Sequence, residues 1–229
     1  MTAIVDKFVM TDDRYPSPAT HGEHWSARRR GDLGEDAGFT LIELMVVLLI
    51  LAILLAIAIP TFLGVTKSAN DRAAQSNLNT ALVNAKAAFQ SNSQSYGIGS
   101  TSTQFPTALA SSLGSAEPSL SFLAASTNAG TSTGQSAISV FVPTDGNGVI
   151  LAAQAKGTSN CWYMIDNAQA EAATAGTGYA NVPAVALAAG TWYGEAKNNT
   201  AVPTCNADAV PATSTASPVA FQSNGFPNE

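Results

Sequence analysis

The sequence predicts an α+β chain, a long N-terminal α-helix whose second half packs on a small antiparallel β-sheet. Three observations predict it. Sixteen consecutive apolar residues run from Leu44 to Ile59. A helix-period apolar face then continues to Phe89. From Ile138 onward, β-branched and aromatic runs alternate with Gly/Asn turns.

Composition divides the 229 residues into three zones. Residues 1–38 are polar, with seven acids and five bases that include Arg28, Arg29 and Arg30. Residues 39–65 form a 27-residue apolar block with a single charge, Glu43. Residues 66–229 are rich in Ala, Ser, Thr and Gly. About 20 apolar residues cross a bilayer core as a helix, so the block is long enough to span one. Arg28 to Arg30 upstream, against Lys67 and Arg72 downstream, bias the N-terminus weakly to the inside.

Beyond the block, Ala74, Leu78, Ala81, Leu82, Ala85 and Phe89 fall on one helical face, in an Ala-rich stretch without Gly or Pro. A single helix from Phe39 to about Ser91 would be roughly 80 Å long. Pro60, which lacks a backbone donor, and Gly64 favour a kink or local loosening near the middle. Residues 92–136 show no sustained period and read as a long loop, with a short helical turn near Pro106 to Leu113. Ile138–Val142, Val149–Ala153, Cys161–Ile165 and Thr191–Glu195 read as strands of a meander over about 137–195. The tail after Cys205 reads as irregular.

Only 11% of residues are charged and the net charge is −6, which argues against non-specific nucleic-acid binding. Both histidines, His21 and His24, lie in the first zone, and only two cysteines, Cys161 and Cys205, occur. After residue 38 no nucleophile–base pair or metal-ligand cluster appears, so no enzyme activity, metal or cofactor is expected.

The run Gly38-Phe39-Thr40-Leu41-Ile42-Glu43-Leu44-Met45-Val46-Val47, followed by the apolar block and Pro60, resembles the processing and assembly motif of type IV pilins and pseudopilins. The resemblance is close over residues 38–65 and loose over the helix-then-sheet remainder. It implies that residues 1–38 are a leader removed by a prepilin peptidase between Gly38 and Phe39, and that Phe39 is then N-methylated. It implies a subunit stored in the inner or cytoplasmic membrane and polymerised by an assembly platform into an extracellular homopolymer. In that homopolymer Glu43 pairs with the Phe39 amine of a neighbour, and Pro60 and Gly64 let the helix loosen. A carboxylate inside an apolar helix costs ~2.5–3.5 kcal/mol on insertion scales, which gives such a pairing its driving force. In an exported domain Cys161 and Cys205, 44 residues apart, are expected to form one disulfide, as in pilins with a C-terminal disulfide loop. Asp36-Ala37 stand where the family often has Lys or Arg before the cleaved Gly.

Other readings sit beside this one. A type II secretion or competence pseudopilin shares residues 38–65, and a membrane-tethered binding domain is the alternative from another class. Ala56-Ile57-Ala58 resembles a signal-peptidase site, which would make the block a secretory signal core. Asp145-Gly-Asn-Gly148 reads as a hairpin turn rather than a calcium loop, which needs more acids. The pairs Trp162-Tyr163 and Trp192-Tyr193 read as core packing beneath the helix, and the sequon at Asn198 is given no role.

Overall fold

A computed structural model of the chain describes residues 38–126, 129–173, 178–197, 204–211 and 219–227. The leader ahead of Gly38 and the sequon at Asn198 lie outside the described residues. The chain divides into two compact units, residues 1–50 and 51–229.

Helix α1 occupies Leu41–Ser91 and remains helical through Pro60 and Gly64. Proline leaves the carbonyl four residues back without its usual donor. Nearby hydroxyls supply extra donors: Thr61 Oγ1 donates to the carbonyls of Ile57 and Ala58, and Thr66 Oγ1 to those of Phe62 and Leu63. The Thr61 bonds go to carbonyls near that of Ala56, the one Pro60 leaves without its usual donor. Within the second unit, α1 buries Asp71, Ala74, Leu78, Ala81, Leu82, Ala85 and Ala88. The 3.6-residue period puts these on one face, and their mostly small side chains let the helix backbone approach the sheet closely.

The sheet has six strands in the order β1(Ser121–Ala124), β2(Ala137–Phe141), β3(Gly148–Gln154), β4(Cys161–Asn167), β5(Gly190–Ala196) and β6(Ala220–Gln222). From β2 to β6 every pairing is antiparallel, whereas β1 pairs with β2 in parallel. The segment over 92–136, expected as a loop with a short helical turn near Pro106 to Leu113, contains that turn within a longer helix and a strand besides. It holds α2(Phe105–Ala116), which buries Pro106, Leu109, Ala110 and Leu113, and then strand β1. Those four positions do follow helical spacing, but a background of Ser, Thr and Ala weakens the contrast that marks a face. The connection between β1 and β2 is held by partners remote in sequence. Asn206 Nδ2 donates to the carbonyls of Ser126 and Ala129, and Ser132 N donates to the Cys205 carbonyl. The tail expected to be irregular contributes β6.

Strands β3 and β4 are buried almost throughout, because both sheet faces are covered. Val149, Leu151, Ala153, Trp162 and Met164 join α1 and α2 in one core. Ile150, Ala152, Cys161, Tyr163 and Ile165 join Tyr179, Val182, Ala207 and Val219 in a second core on the other face. The aromatic pairs consequently split. Trp162 and Tyr193 lie on the α1 side, where both meet Phe226 edge-on, while Tyr163 and Trp192 pack in the second core. Successive strand side chains point to opposite faces, so neither pair could sit wholly beneath the helix.

Two contacts fasten the helix and the C-terminal segment to the sheet. Buried Asp71 accepts hydrogen bonds from Trp162 Nε1 at 2.9 Å and Thr158 Oγ1 at 3.0 Å. On the other face Cys161 and Cys205 form a disulfide, with both residues 1% exposed. Replacing Asp71 with Ala leaves the buried indole N–H unpaired and is expected to lower stability by about 1–3 kcal/mol, measured by urea denaturation of the oxidised protein. Reducing the disulfide releases a 44-residue loop and is expected to remove about 4 kcal/mol by loop entropy, read from the same titration with and without reductant.

Candidate functional site

The first unit's described residues present the N-terminus of α1. Thr40 and Glu43 close a reciprocal cap there. Glu43 N donates to Thr40 Oγ1 at 3.2 Å, while Thr40 N and Thr40 Oγ1 each donate to Glu43 Oε2 at 2.9 Å. This is the capping-box arrangement of a Thr followed three residues later by Glu. It satisfies two N–H groups that a helix start would otherwise leave unpaired, and a carboxylate near this end also suits the helix dipole. Among the described residues Glu43 thus has hydrogen-bond donors and no paired cation.

The other residues singled out by sequence are placed as follows. Gly38 has open space around it, and Phe39 is 87% exposed. Phe39, Ile42, Val46 and Val47 line an open apolar groove with Glu43. Pro60 and Gly64 are exposed along α1. The most apolar window of α1 is long enough to cross a membrane, and none of it is buried. Thr40 is the functional neighbour that sequence reading passed over, although the Thr-Leu-Ile-Glu pattern carries its signal.

A second polar cluster lies at the β2–β3 turn of the second unit. Asp145 Oδ1 accepts from Asn147 N, closing the turn, and Gly146 has φ 71°, a left-handed conformation that glycine adopts freely. Glu171 reaches this turn from the β4–β5 connection, anchored by its own N–H to the Leu187 carbonyl. Burial, then the charge of Asp145 and a hydrogen bond shared with it, push the Glu171 carboxyl up to about 7. Tyr179 donates to Asn167 Oδ1 at 2.6 Å, and burial chiefly raises its pKa well above the ordinary tyrosine value. Beside them, Asp166 accepts from Tyr96 and Thr191 and pairs with Lys86 Nζ at 2.9 Å. Among the described residues no group of three or more His, Cys, Asp or Glu side chains is placed to hold a metal ion.

Residues 35–59 match the prokaryotic N-terminal methylation motif. That motif is the signature of type IV pilins and pseudopilins, and it supports a pilin-like or pseudopilin subunit with a structural role. No curated protein and no solved structure matches the chain. The motif implies processing by a prepilin peptidase, and the apolar helix suits a membrane-anchored precursor.

The Glu171 pair gives the fold a defined pH response. Its folded pKa lies above the ordinary 4.5, so the folded state holds the proton more tightly than the unfolded chain does. Stability is expected to be greatest near pH 4.5, to fall as pH rises towards 7, and to level off above, beyond the background titration of other groups. Glu171→Gln, which keeps a donor for Asp145, is expected to lose that slope in thermal melts between pH 4.5 and 8.

Proposed function

We propose that this chain is the precursor of a type IV pilus subunit, cut between Gly38 and Phe39, N-methylated at Phe39 and polymerised through α1 into an extracellular filament. The observation that carries this reading is the match to the methylation motif at residues 35–59, most of which lies in a helix whose apolar side chains are uncovered. Removing 1–38 frees an amine at Phe39, which methylation leaves cationic. Glu43 then offers that amine of a neighbouring subunit a carboxylate. The Thr40 cap keeps this carboxylate hydrogen-bonded at the helix end until the neighbour arrives.

In the filament the apolar residues of 39–65 exchange lipid for neighbouring helices. Pro60 and Gly64 mark where α1 loosens in that exchange, since one backbone hydrogen bond is already missing there. The subunit's partners are then other copies of itself, the prepilin peptidase and the membrane assembly platform. After processing, 191 residues remain, with five bases and nine acids. The filament surface is therefore acidic, and assembly is expected to be favoured by salt that screens repulsion between heads.

N-terminal mass spectrometry of sheared surface filaments tests the reading. The expected result is a chain beginning at monomethylated Phe39. Glu43→Ala is expected to be cut at the same bond yet to yield at least tenfold less filament. A mature N-terminus at Ile59 or Met1, or normal filament yield from the Ala variant, would refute it. Cut and methylated subunits confined to an envelope secretion complex would assign the chain to the pseudopilins instead.

A further inference from the structure

The five cations that follow residue 38 are unevenly distributed over the fold. Three of them, Lys67, Arg72 and Lys156, lie at one end of the second unit. Lys67 and Arg72 occupy α1 just after the apolar stretch that ends at Val65. Lys156 belongs to the β3–β4 turn, which is tied to the same helical turn because Asn70 Nδ2 donates to the Lys156 carbonyl at 2.8 Å. A Cβ added to the adjacent Gly157 would stand 3.5 Å from Lys67 Cγ. All three cations are exposed, and none forms an ion pair among the described residues.

Neighbouring acids are withdrawn from that surface. Asp71 is 1% exposed and bound to Trp162 and Thr158, and Glu195 is 8% exposed and accepts from Asn160. The opposite end of β3 has the reverse sign, for Asp145, Glu171 and Asp166 gather there and Lys86 pairs with Asp166. The unit is thus positive where α1 leaves its apolar stretch and negative at the far end of the same sheet.

We propose that Lys67, Arg72 and Lys156 form a cationic collar that docks on anionic lipid headgroups while the subunit is stored in the membrane. The proposal rests on residues 39–65 spanning the bilayer. The helical part, residues 41–65, is about 38 Å long, the thickness of the hydrocarbon core plus part of its polar borders. Lys67 therefore falls at headgroup level. Arg72 stands about 7.5 Å farther out and about 140° further round the helix, so that with Lys156 the charges ring the helix. That depth is within the ~8 Å Debye length at physiological salt. Flexible aliphatic stems let all three reach the phosphates. Each cation near an anionic surface is expected to raise the preference roughly fivefold. Repulsion of the acidic end from the same surface keeps the head upright. An acidic end on a second copy is the competing occupant, disfavoured because the collar sits at membrane depth before assembly.

The test uses the full chain reconstituted in bilayers of phosphatidylcholine with phosphatidylglycerol. Electron spin resonance of each spin-labelled lipid reads its relative association at the protein boundary. At low salt, the wild type is expected to favour phosphatidylglycerol at least fivefold more than the triple variant K67Q/R72Q/K156Q does. That difference should vanish in high salt. The leader cations are common to both proteins, and equal thermal melts establish that the variant is folded. Boundary signal with equal preference in both proteins overturns the collar alone. Absence of boundary signal for either lipid overturns the collar together with the spanning reading. Equal lipid preference combined with oligomers lost only in the triple variant assigns the cations to a second copy and also overturns lipid docking.

Discussion

Between Leu44 and Val65, sixteen large apolar side chains of α1 each remain 47–68% exposed. Fully covering one such side chain is worth about 1.5–3 kcal/mol, so the uncovered stretch represents tens of kcal/mol that its own chain does not recover. Two environments can supply that cover, lipid tails or the same stretch of other copies. A capped carboxylate sits at one end of the stretch, Pro60 lies within the unbroken helix near the other, and a folded head follows.

The head is organised by the fact that both faces of its sheet are occupied. Helices α1 and α2 cover one face, and the segments around Tyr179 and Cys205 cover the other. Double coverage explains why β3 and β4 read as near-continuous hydrophobic runs rather than alternating ones. It also explains the polar anchors, since Asp71 on the helical side and Asn206 on the other bond groups that the packing would otherwise strand.

How much of this could be read beforehand depended on contrast. The buried face of α1 was legible because Leu and Ala recur at helical spacing among Asn, Gln and Lys. The strands from β2 to β5 were legible from β-branched runs and the Gly146 turn. Helix α2 was legible only as the short turn near Pro106 to Leu113, and strand β1 was not, as Ser, Thr and Ala blur any period and the connection that follows β1 is bonded by Asn206, 80 residues beyond Ser126. Three-residue β6 is too short to show a period, even with the Asn224-Gly225 turn signal just after it. At the candidate site, Gly38, Phe39 and Glu43 stood out through their motif, and Thr40 was hidden only because its role is local capping. Asp71 escaped notice because its position in the apolar stripe, three residues before Ala74, looks like an interruption until Trp162 is seen to donate to it.

The link between Cys161 and Cys205 also bears on how the head responds to being pulled. Forty-four residues separate the two sulfurs along the chain, which fully extended would amount to roughly 150 Å. Traction applied through α1 can peel strands away, yet it cannot draw out that length while the crosslink holds. The subunit is therefore built with a hard stop to its stretching, and its slack is set by covalent chemistry rather than by packing.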